Sequence, residues 1–481
     1  MRQRQPICDG SFSTLGCCIV SQARRIVVIG AGISGLTSAF SLLTSEESVH
    51  VTVLESSDRI GGLIKTTPFA GLGAVDEGAD AYLLRVPFAA QLAAELGLGA
   101  SITSPTGAHA SVWHNGMHSI PGDLMLGVPA KVRAFAMSNL ISPRGKLRAA
   151  LEPFLPTTQD NDSIGHYVRR RFGNEIHERL VDPLVGSIYA ADTDNFSMSA
   201  VPQIASLTTS RSMLLAAGKA RAAVAKAPAS PIFGVPMRGM GAMTEGLAQR
   251  ITSLGGDIRC NHAVSTIESN NHQYTVVTNN GSFECDAVVI ASPAKHSASF
   301  MKALDSRAST LLSEWNHASV ALITMAIPAD QWPSKLTGSG YLVPKPDQRW
   351  VTAASFGSNK WAHWRPVDGS MILRVSLGRD GLDVMDFADD KLINLALADM
   401  KRHLGFDLAP QHVRLSRWND SFPQYRPHHF ARLAELEHSL SVTAPGVVFA
   451  GASYRGIGIP ACIQQGRTAS ASVLERLASN R

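Results

Sequence analysis

The chain has 481 residues, 45% of them hydrophobic and only 17% charged, with a formal net charge of +5. That hydrophobic content excludes a disordered protein, which needs low hydrophobicity and high charge. The slight surplus of base falls far short of a nucleic-acid-binding surface, so no nucleic-acid partner is expected.

The length suits two or three domains, or one dinucleotide fold carrying inserted domains. Charge is low against roughly 25% in a typical soluble chain, which leaves surface for a large buried ligand or a membrane-facing patch. The cysteines are Cys8, Cys17, Cys18, Cys260, Cys285 and Cys462, with no C-x-x-C pair. Neither a disulfide scaffold nor a metal site is supported, and a reducing, cytoplasmic setting is the default expectation. No apolar run approaches the roughly 18 residues needed to cross a bilayer.

Residues 1–23, with Arg2, Arg4, several serines and a single acid, Asp9, read as a disordered or extra N-terminal tail. Arg25 to Ile29 then has the continuous β-branched, apolar pattern of a buried parallel strand. Gly30-Ala31-Gly32-Ile33-Ser34-Gly35 follows, and Leu36 to Leu43 continues with helical periodicity. A second apolar strand, Val49 to Leu54, ends in Glu55. This is the complete strand–turn–helix–strand–acid arrangement of dinucleotide binding. Gly30 permits the turn, Gly32 lets a pyrophosphate approach the backbone, and Gly35 lets helix and strand pack closely. Glu55, twenty residues after Gly35, can accept from a ribose hydroxyl.

Directly after Glu55 comes Ser56-Ser57-Asp58-Arg59-Ile60-Gly61-Gly62. Here the sequence resembles the FAD-dependent amine oxidase and protoporphyrinogen oxidase superfamily, whose second motif is acid-x-x-x-R-x-G-G. The resemblance implies FAD as cofactor, with Ile33, Ser34, Ser56, Gly61 and Gly62 along its phosphates and ribose and Arg59 as a source of positive charge. Val75-Asp76-Glu77-Gly78-Ala79-Asp80 looks like the segment that runs beneath the flavin ring in that superfamily, implicating Gly78, Ala79, Asp80 and Ala81.

The same fold returns downstream. Gly239-Met240-Gly241 precedes a helix around Leu247 to Leu254. Val264, by resemblance, touches the adenine through its backbone. Asp286 to Ala291 is a strand, and Val447 to Gly451 another. Ile457-Gly458-Ile459, with Pro460 at a first helical turn, would face the flavin pyrimidine edge and stabilise negative charge there.

The expected fold is therefore α/β: a discontinuous Rossmann-like FAD-binding domain (24–105, 231–296 and 441–481), a helical insertion (106–230), and a β-rich substrate domain with a mixed sheet (297–440). The insertion is charge-biased. Leu124 to Leu151 holds Lys131, Arg133, Arg144, Lys146 and Arg148 with no acid; Asn195 to Thr244 holds Arg211, Lys219, Arg221, Lys226 and Arg238, again with none. This pattern reads as much as peripheral contact with a membrane surface, or contact with an anionic substrate, as it does a solvated helix face.

Five stretches narrow the resemblance to the porphyrinogen oxidases, of the Gram-positive type. They are Asp182-Pro183-Leu184-Val185-Gly186-Ser187-Ile188-Tyr189-Ala190-Ala191-Asp192, Pro143-Arg144-Gly145-Lys146, Gly338-Ser339-Gly340-Tyr341-Leu342-Val343-Pro344, Pro423-Gln424-Tyr425 and Gly451-Ala452-Ser453-Tyr454-x-Gly456. The resemblance implies oxygen-dependent, six-electron oxidation of a porphyrinogen in haem synthesis. The macrocycle would lie between Leu184 on one side and Tyr341-Leu342 on the other. No side chain is assigned a catalytic role, because the flavin takes the hydride and the protein supplies orientation.

The mitochondrial-type arginine ahead of the insertion is missing, since the corresponding stretch reads His109-Ala110-Ser111-Val112-Trp113. Arg85, seven residues after Gly78, resembles the bacterial form and is the candidate anchor for a propionate. Coproporphyrinogen III is the expected substrate, with molecular oxygen as acceptor and a downstream ferrochelatase as a candidate partner. Protoporphyrinogen IX is the alternative substrate. An amine oxidase, a carotenoid desaturase, or a non-catalytic flavin or haem chaperone are more distant readings. Oligomeric state is left open.

Overall fold

The computed structural model describes residues 23–157, 163–225, 231–270 and 273–479. The tail at 1–22, with Cys8, Cys17 and Cys18, and Lys226 of the basic insertion lie outside the described residues.

Two sheets organise the chain. The first is a five-stranded parallel sheet whose order is Asp257–Arg259, Val49–Leu54, Arg24–Ile29, Ala287–Ile290, Val447–Phe449. Alternate side chains point to opposite faces of a strand, and here both faces are buried. Ile26, Val28, Val51 and Val53 pack with the helices Ile33–Leu43, Gly241–Ser253 and Ile459–Ser479. Val27, Ile29, Val288 and Ile290 pack with the helices Ala294–Met301, Ser306–Ser313 and His429–Thr443. That double cover is why these strands read as unbroken apolar runs.

The helices Ile33–Leu43 and Ile459–Ser479 are stitched together although they stand at opposite ends of the chain. The Ser38 hydroxyl donates to the Gly466 carbonyl at 3.0 Å and the Ser470 hydroxyl donates to the Ser38 carbonyl at 2.9 Å. A Cβ at Gly466 would lie 2.5 Å from the Ser34 carbonyl oxygen, so only glycine allows this approach.

The second sheet has seven strands in the order His412–Pro423, His317–Ile327, Met371–Leu377, Val351–Phe356, Gly340–Leu342, Ala110–Trp113, Met117–Ser119. It is antiparallel except where Ala110–Trp113 runs parallel to Gly340–Leu342. Residues 110–119, assigned from sequence to a helical insertion, are therefore strands of the substrate sheet. Helices of the insertion begin only at Val132. They surround their own core of Phe135, Ile164, Tyr167, Phe172, Leu180 and Phe196. One face of the seven-stranded sheet is covered by the helix Asp389–Leu404 through Leu392, Ala396 and Met400.

Among the described residues no helix is long and apolar enough to cross a membrane. The basic bias of the insertion is partly neutralised. Lys131 and Arg221 both pair with Asp123, at 2.8 and 3.2 Å, and Arg148 donates to the Arg170 and Arg171 carbonyls. Phe154, Leu147, Leu151 and Leu215 are exposed on the same insertion.

Candidate functional site

The first glycine loop opens from the central strand of the parallel sheet. Gly30 has φ +101°, and its N–H donates to the Leu54 carbonyl at 2.7 Å. A Cβ at Gly35 would lie 1.9 Å from the Gly30 oxygen, so only a hydrogen fits there. A Cβ at Gly32 would meet nothing within 4 Å. The second glycine of the motif thus faces open space inside an otherwise packed region. Gly32 caps the helix Ile33–Leu43 with no side-chain hydrogen bond, and its first turn carries no acid. The first-turn N–H groups and the positive end of the helix dipole are available to an anion.

The second glycine pair closes on the first. Gly61 donates its N–H to the Ala31 carbonyl at 2.8 Å and bridges Gly32. A Cβ at Gly62 would lie 3.3 Å from the Gly32 Cα. The Arg59 guanidinium donates to the carbonyls of Ile60, Gly62 and Ile64. Its contribution in this structure is to fix the shape of that loop. Glu55 is buried: one carboxylate oxygen accepts from the Ala31 N–H at 2.8 Å, the other from the Ser57 N–H and hydroxyl at 2.9 Å and from the Ser56 hydroxyl at 3.3 Å. The chain at Asn261 and His262 runs alongside, donating to the Ser57 and Glu55 carbonyls. It sets Val264, first residue of the strand Val264–Asn270, beside the acid turn.

From the other end of the chain, Gly451 comes to the same place. A Cβ there would lie 3.8 Å from the Ser34 hydroxyl. Ile457 and Gly458 lead into the C-terminal helix at Ile459, whose first turn is closed by the Cys462 N–H on the Gly458 carbonyl at 2.9 Å. The Pro423-Gln424-Tyr425 element explains itself here. The buried Tyr425 hydroxyl donates to the Ala452 carbonyl at 2.5 Å and accepts from the Gly456 N–H at 2.6 Å. Two stretches that stand out in the sequence are thus locked to each other.

The segment Asp76–Ala81 lies between the two sheets and is clamped by the second. Burial pushes the Asp76 carboxyl up to about 6, against hydrogen bonds from the Thr66 hydroxyl and the Met240 N–H. Glu77 accepts from the Ser416 hydroxyl at 2.8 Å and pairs with Lys65 at 3.1 Å. The Gly78 carbonyl accepts from Arg374 at 2.6 Å, and the Trp418 indole donates to the Glu77 carbonyl at 3.1 Å. Asp80 is held by Lys360 at 2.7 Å, the Trp361 indole at 3.2 Å and Arg374 at 3.5 Å. Burial alone would raise its carboxyl, but the two cations outweigh burial and hold it well below the usual carboxylate range. Lys360, Trp361 and Arg374 were missed in the sequence. Arg374 left one trace there, a lone cation inside the apolar strand Met371–Leu377.

On the substrate side the sequence expectation needs a correction. Tyr341 does not face the site. Its ring is buried against the helix Asp389–Leu404, with its hydroxyl 3.0 Å from His403 Nδ1 and 3.1 Å from the Met400 sulfur. Neighbouring residues on a strand point to opposite faces, so Tyr341 and Leu342 cannot both line one slot. Leu342 takes the outer face, half-buried.

Leu184 is half-buried on the helix Asp182–Tyr189, which packs near the strand Gly340–Leu342. Ile188, one turn on, is 46% exposed on the same helix face and was not singled out in the sequence. A polar latch fixes this helix to the sheet. Lys345 pairs with Asp192 at 2.6 Å, the Asp380 N–H donates to the Ala190 carbonyl at 2.8 Å, and the Gln424 amide donates to the Tyr189 carbonyl at 3.1 Å. Arg85 is exposed, and the strand just before it, Tyr82–Leu83, pairs with Phe233–Gly234.

A parallel sheet that opens two stacked glycine loops onto a bare helix N-terminus, faced by a second sheet, is the arrangement of a dinucleotide-dependent oxidoreductase. The sequence model of the flavin containing amine oxidoreductases matches residues 33–474, and the chain belongs to that family. The open cradle at Gly32 fits FAD, the cofactor of this class. A coproporphyrinogen III oxidase of Bacillus subtilis is 30% identical over 472 residues, covering 95% of this chain and 99% of that protein. One from Staphylococcus aureus is 29% identical, covering 94% and 100%. A solved structure from Exiguobacterium sp. 255-15, of a protein provisionally named as a protoporphyrinogen oxidase, superposes with a TM-score of 0.84 at 25% identity, covering 94% of this chain and 99% of that one.

Proposed function

We propose that the chain oxidises coproporphyrinogen III to coproporphyrin III, with molecular oxygen as the electron acceptor. The observation that carries this reading is the near-complete, end-to-end similarity to the coproporphyrinogen III oxidases of two Gram-positive bacteria. Six hydrogens leave the macrocycle, and three molecules of oxygen become three of hydrogen peroxide. FAD, when bound, accepts the hydride of each round and hands the electrons on to oxygen.

The rest of the work falls to the chain. The Gly30–Gly35 loop and Gly61–Gly62 would hold the pyrophosphate, with Glu55 on the ribose, Val264 on the adenine, Gly78–Ala81 beneath the ring and Ile457–Ile459 at its pyrimidine edge. Leu184, Ile188 and Leu342 would form apolar walls that exclude water and hold a flexible macrocycle flat. The Lys345–Asp192 latch would set their spacing.

The substrate carries four propionates, against two on protoporphyrinogen IX. Arg144, Arg211 and Lys219 are exposed bases of the insertion with no ion pair among the described residues. Each extra carboxylate meeting a partly exposed base contributes roughly 0.5–1 kcal/mol. Two such pairs favour coproporphyrinogen by about 5- to 30-fold in kcat/KM. The preference should shrink with rising salt as those pairs are screened. Aerobic kcat/KM for both substrates at low and high salt tests this. A preference for protoporphyrinogen IX at low salt rejects the coproporphyrinogen reading and leaves the flavin oxidoreductase standing.

A further inference from the structure

The face of the seven-stranded sheet that carries Leu342 can be followed strand by strand. Leu342 pairs with Ala353, Ala353 with Ser376, Ser376 with Leu322, and Leu322 with Ser416. Residues directly opposite each other across a ladder share a face. The neighbouring row, Tyr341, Ala354, Val375 and Ile323, points the other way, into the core beneath the helix Asp389–Leu404. Those four are buried. Leu342, Ala353, Ser376 and Leu322 are only half-buried, although all four of their strands lie inside the sheet. With strands about 4.8 Å apart, they form an uncharged strip about 14 Å wide.

One end of the strip lies by the helix Asp182–Tyr189, which packs near the strand of Leu342. The other end meets the segment Asp76–Ala81, where Ser416 bonds Glu77. Trp418 is two residues beyond Ser416 and keeps the same face, opposite Val320. Its indole N–H donates to the Glu77 carbonyl at 3.1 Å, and its ring stands 3.2 Å from where a Cβ on Gly78 would lie. The same side chain packs against the buried cluster of Ala190, Ala318 and Val320. Ala190 ends the helix that carries Leu184 and Ile188. Trp418 therefore joins the Asp76–Ala81 segment to the end of that helix. It is half-buried, and no other ring stacks on it among the described residues.

We propose that Trp418 is a specificity-determining residue for the macrocycle, its ring forming the aromatic end wall of the strip. The inference deepens the porphyrinogen reading above and rests on it. An indole held at its N–H keeps one orientation, so its free surface is preset for a flat conjugated ring, the partner from which an aromatic side chain gains most. The starting porphyrinogen has four pyrroles joined by saturated bridges. Each round of oxidation extends the conjugation and flattens the macrocycle. Trp418 therefore grips the partly oxidised macrocycles more tightly than the first substrate and retains them for the remaining rounds.

The test compares wild type with Trp418→Phe, which keeps a ring but loses the N–H, and Trp418→Leu, which loses both. Coproporphyrin III binding to the FAD-loaded proteins is read from its Soret band, and FAD binding to the flavin-free proteins from flavin fluorescence. FAD affinity should fall alike in both variants, because both lose the bond to Glu77. Coproporphyrin III should bind Trp418→Phe within about threefold of wild type and Trp418→Leu about tenfold more weakly. In turnover of coproporphyrinogen III, Trp418→Leu should show a lag between oxygen uptake and porphyrin fluorescence that wild type lacks; its absence overturns the retention. An equal loss of porphyrin affinity in the two variants reduces Trp418 to a structural role and overturns the proposal. Wild-type porphyrin affinity in Trp418→Leu, or no porphyrin binding to wild type, overturns it too. Where Trp418→Leu fails to fold, Ala353→Phe places a ring on the strip and leaves the Trp418 bonds alone. It should block the porphyrin, and unchanged porphyrin affinity there overturns the proposal. A wild type that binds coproporphyrin III through the Trp418 ring yet never oxidises coproporphyrinogen III keeps the binding role and rejects the oxidase reading.

Discussion

Gly32→Ala and Gly35→Ala add the same methyl group three residues apart, and the structure assigns them opposite consequences. At Gly32 the backbone is extended, with φ −73° and ψ 177°, which alanine adopts freely. Its methyl would meet no protein atom within 4 Å. The flavin-free protein should therefore be as stable as wild type, or gain about 0.4–1 kcal/mol from a less flexible unfolded chain. The methyl would occupy the volume assigned to the pyrophosphate, so FAD should bind at least about 100-fold more weakly, roughly 2.7 kcal/mol. At Gly35 the methyl would sit 1.9 Å from the Gly30 oxygen and 3.2 Å from the Ala291 side chain, with backbone at the closest contact. Overpacking of this kind costs about 3 kcal/mol or more. Urea midpoints of the flavin-free proteins and FAD titration by fluorescence quenching separate the two effects. Wild-type FAD affinity in Gly32→Ala would refute the placement of the pyrophosphate. A urea midpoint as low in Gly32→Ala as in Gly35→Ala would refute the packing argument.

Leu184→Trp should leave FAD content normal and lower kcat/KM at least tenfold, about 1.4 kcal/mol, by filling the slot; unchanged turnover means Leu184 does not line it. Tyr425→Phe leaves the part-buried Gly456 N–H without its acceptor and the part-buried Ala452 carbonyl without its donor. It should cost about 2–4 kcal/mol and loosen FAD, and thermal melts that match wild type would contradict this. Burial lowers His403 and His429 to about 4 from an ordinary 6.5. The unfolded chain then binds protons that the folded chain refuses, so stability is full above about pH 6.5 and is lost as pH falls toward 4, by up to about 3 kcal/mol per histidine. His403→Gln should flatten the melting temperature between pH 7 and 4.5, and an undiminished slope would exclude His403 as a source.

The glycine loop could be read from sequence because its chemistry is local. Turn, helix start and acid fall within thirty residues, and each glycine answers to a neighbour in the chain. Tyr341 misled because a family stretch names positions without saying which way they point; the period of two along Gly340–Leu342 turns its ring into the core. The strands at 110–119 were read as insertion because the parallel partner of Ala110–Trp113 stands some 230 residues downstream, and nothing nearby announces it. Asp80 is comparable. Its position was legible, but the cations that hold its carboxylate arrive from 280 and 294 residues away in the chain.

The stitching of the first helix to the last has a consequence for how the protein is made. Arg24–Ile29 leaves the ribosome early, yet both of its outer neighbours on one side, Ala287–Ile290 and Val447–Phe449, come far later. At about 5–20 residues per second, roughly 420 further residues take some 20–80 s to appear. For that time the apolar faces of the opening strands and the Gly466-facing side of the first helix lack their cover. The flavin pocket cannot close before the last helix docks. Nascent chains stalled ahead of residue 447 should bind chaperones and no flavin, and cofactor loading should be a post-release event.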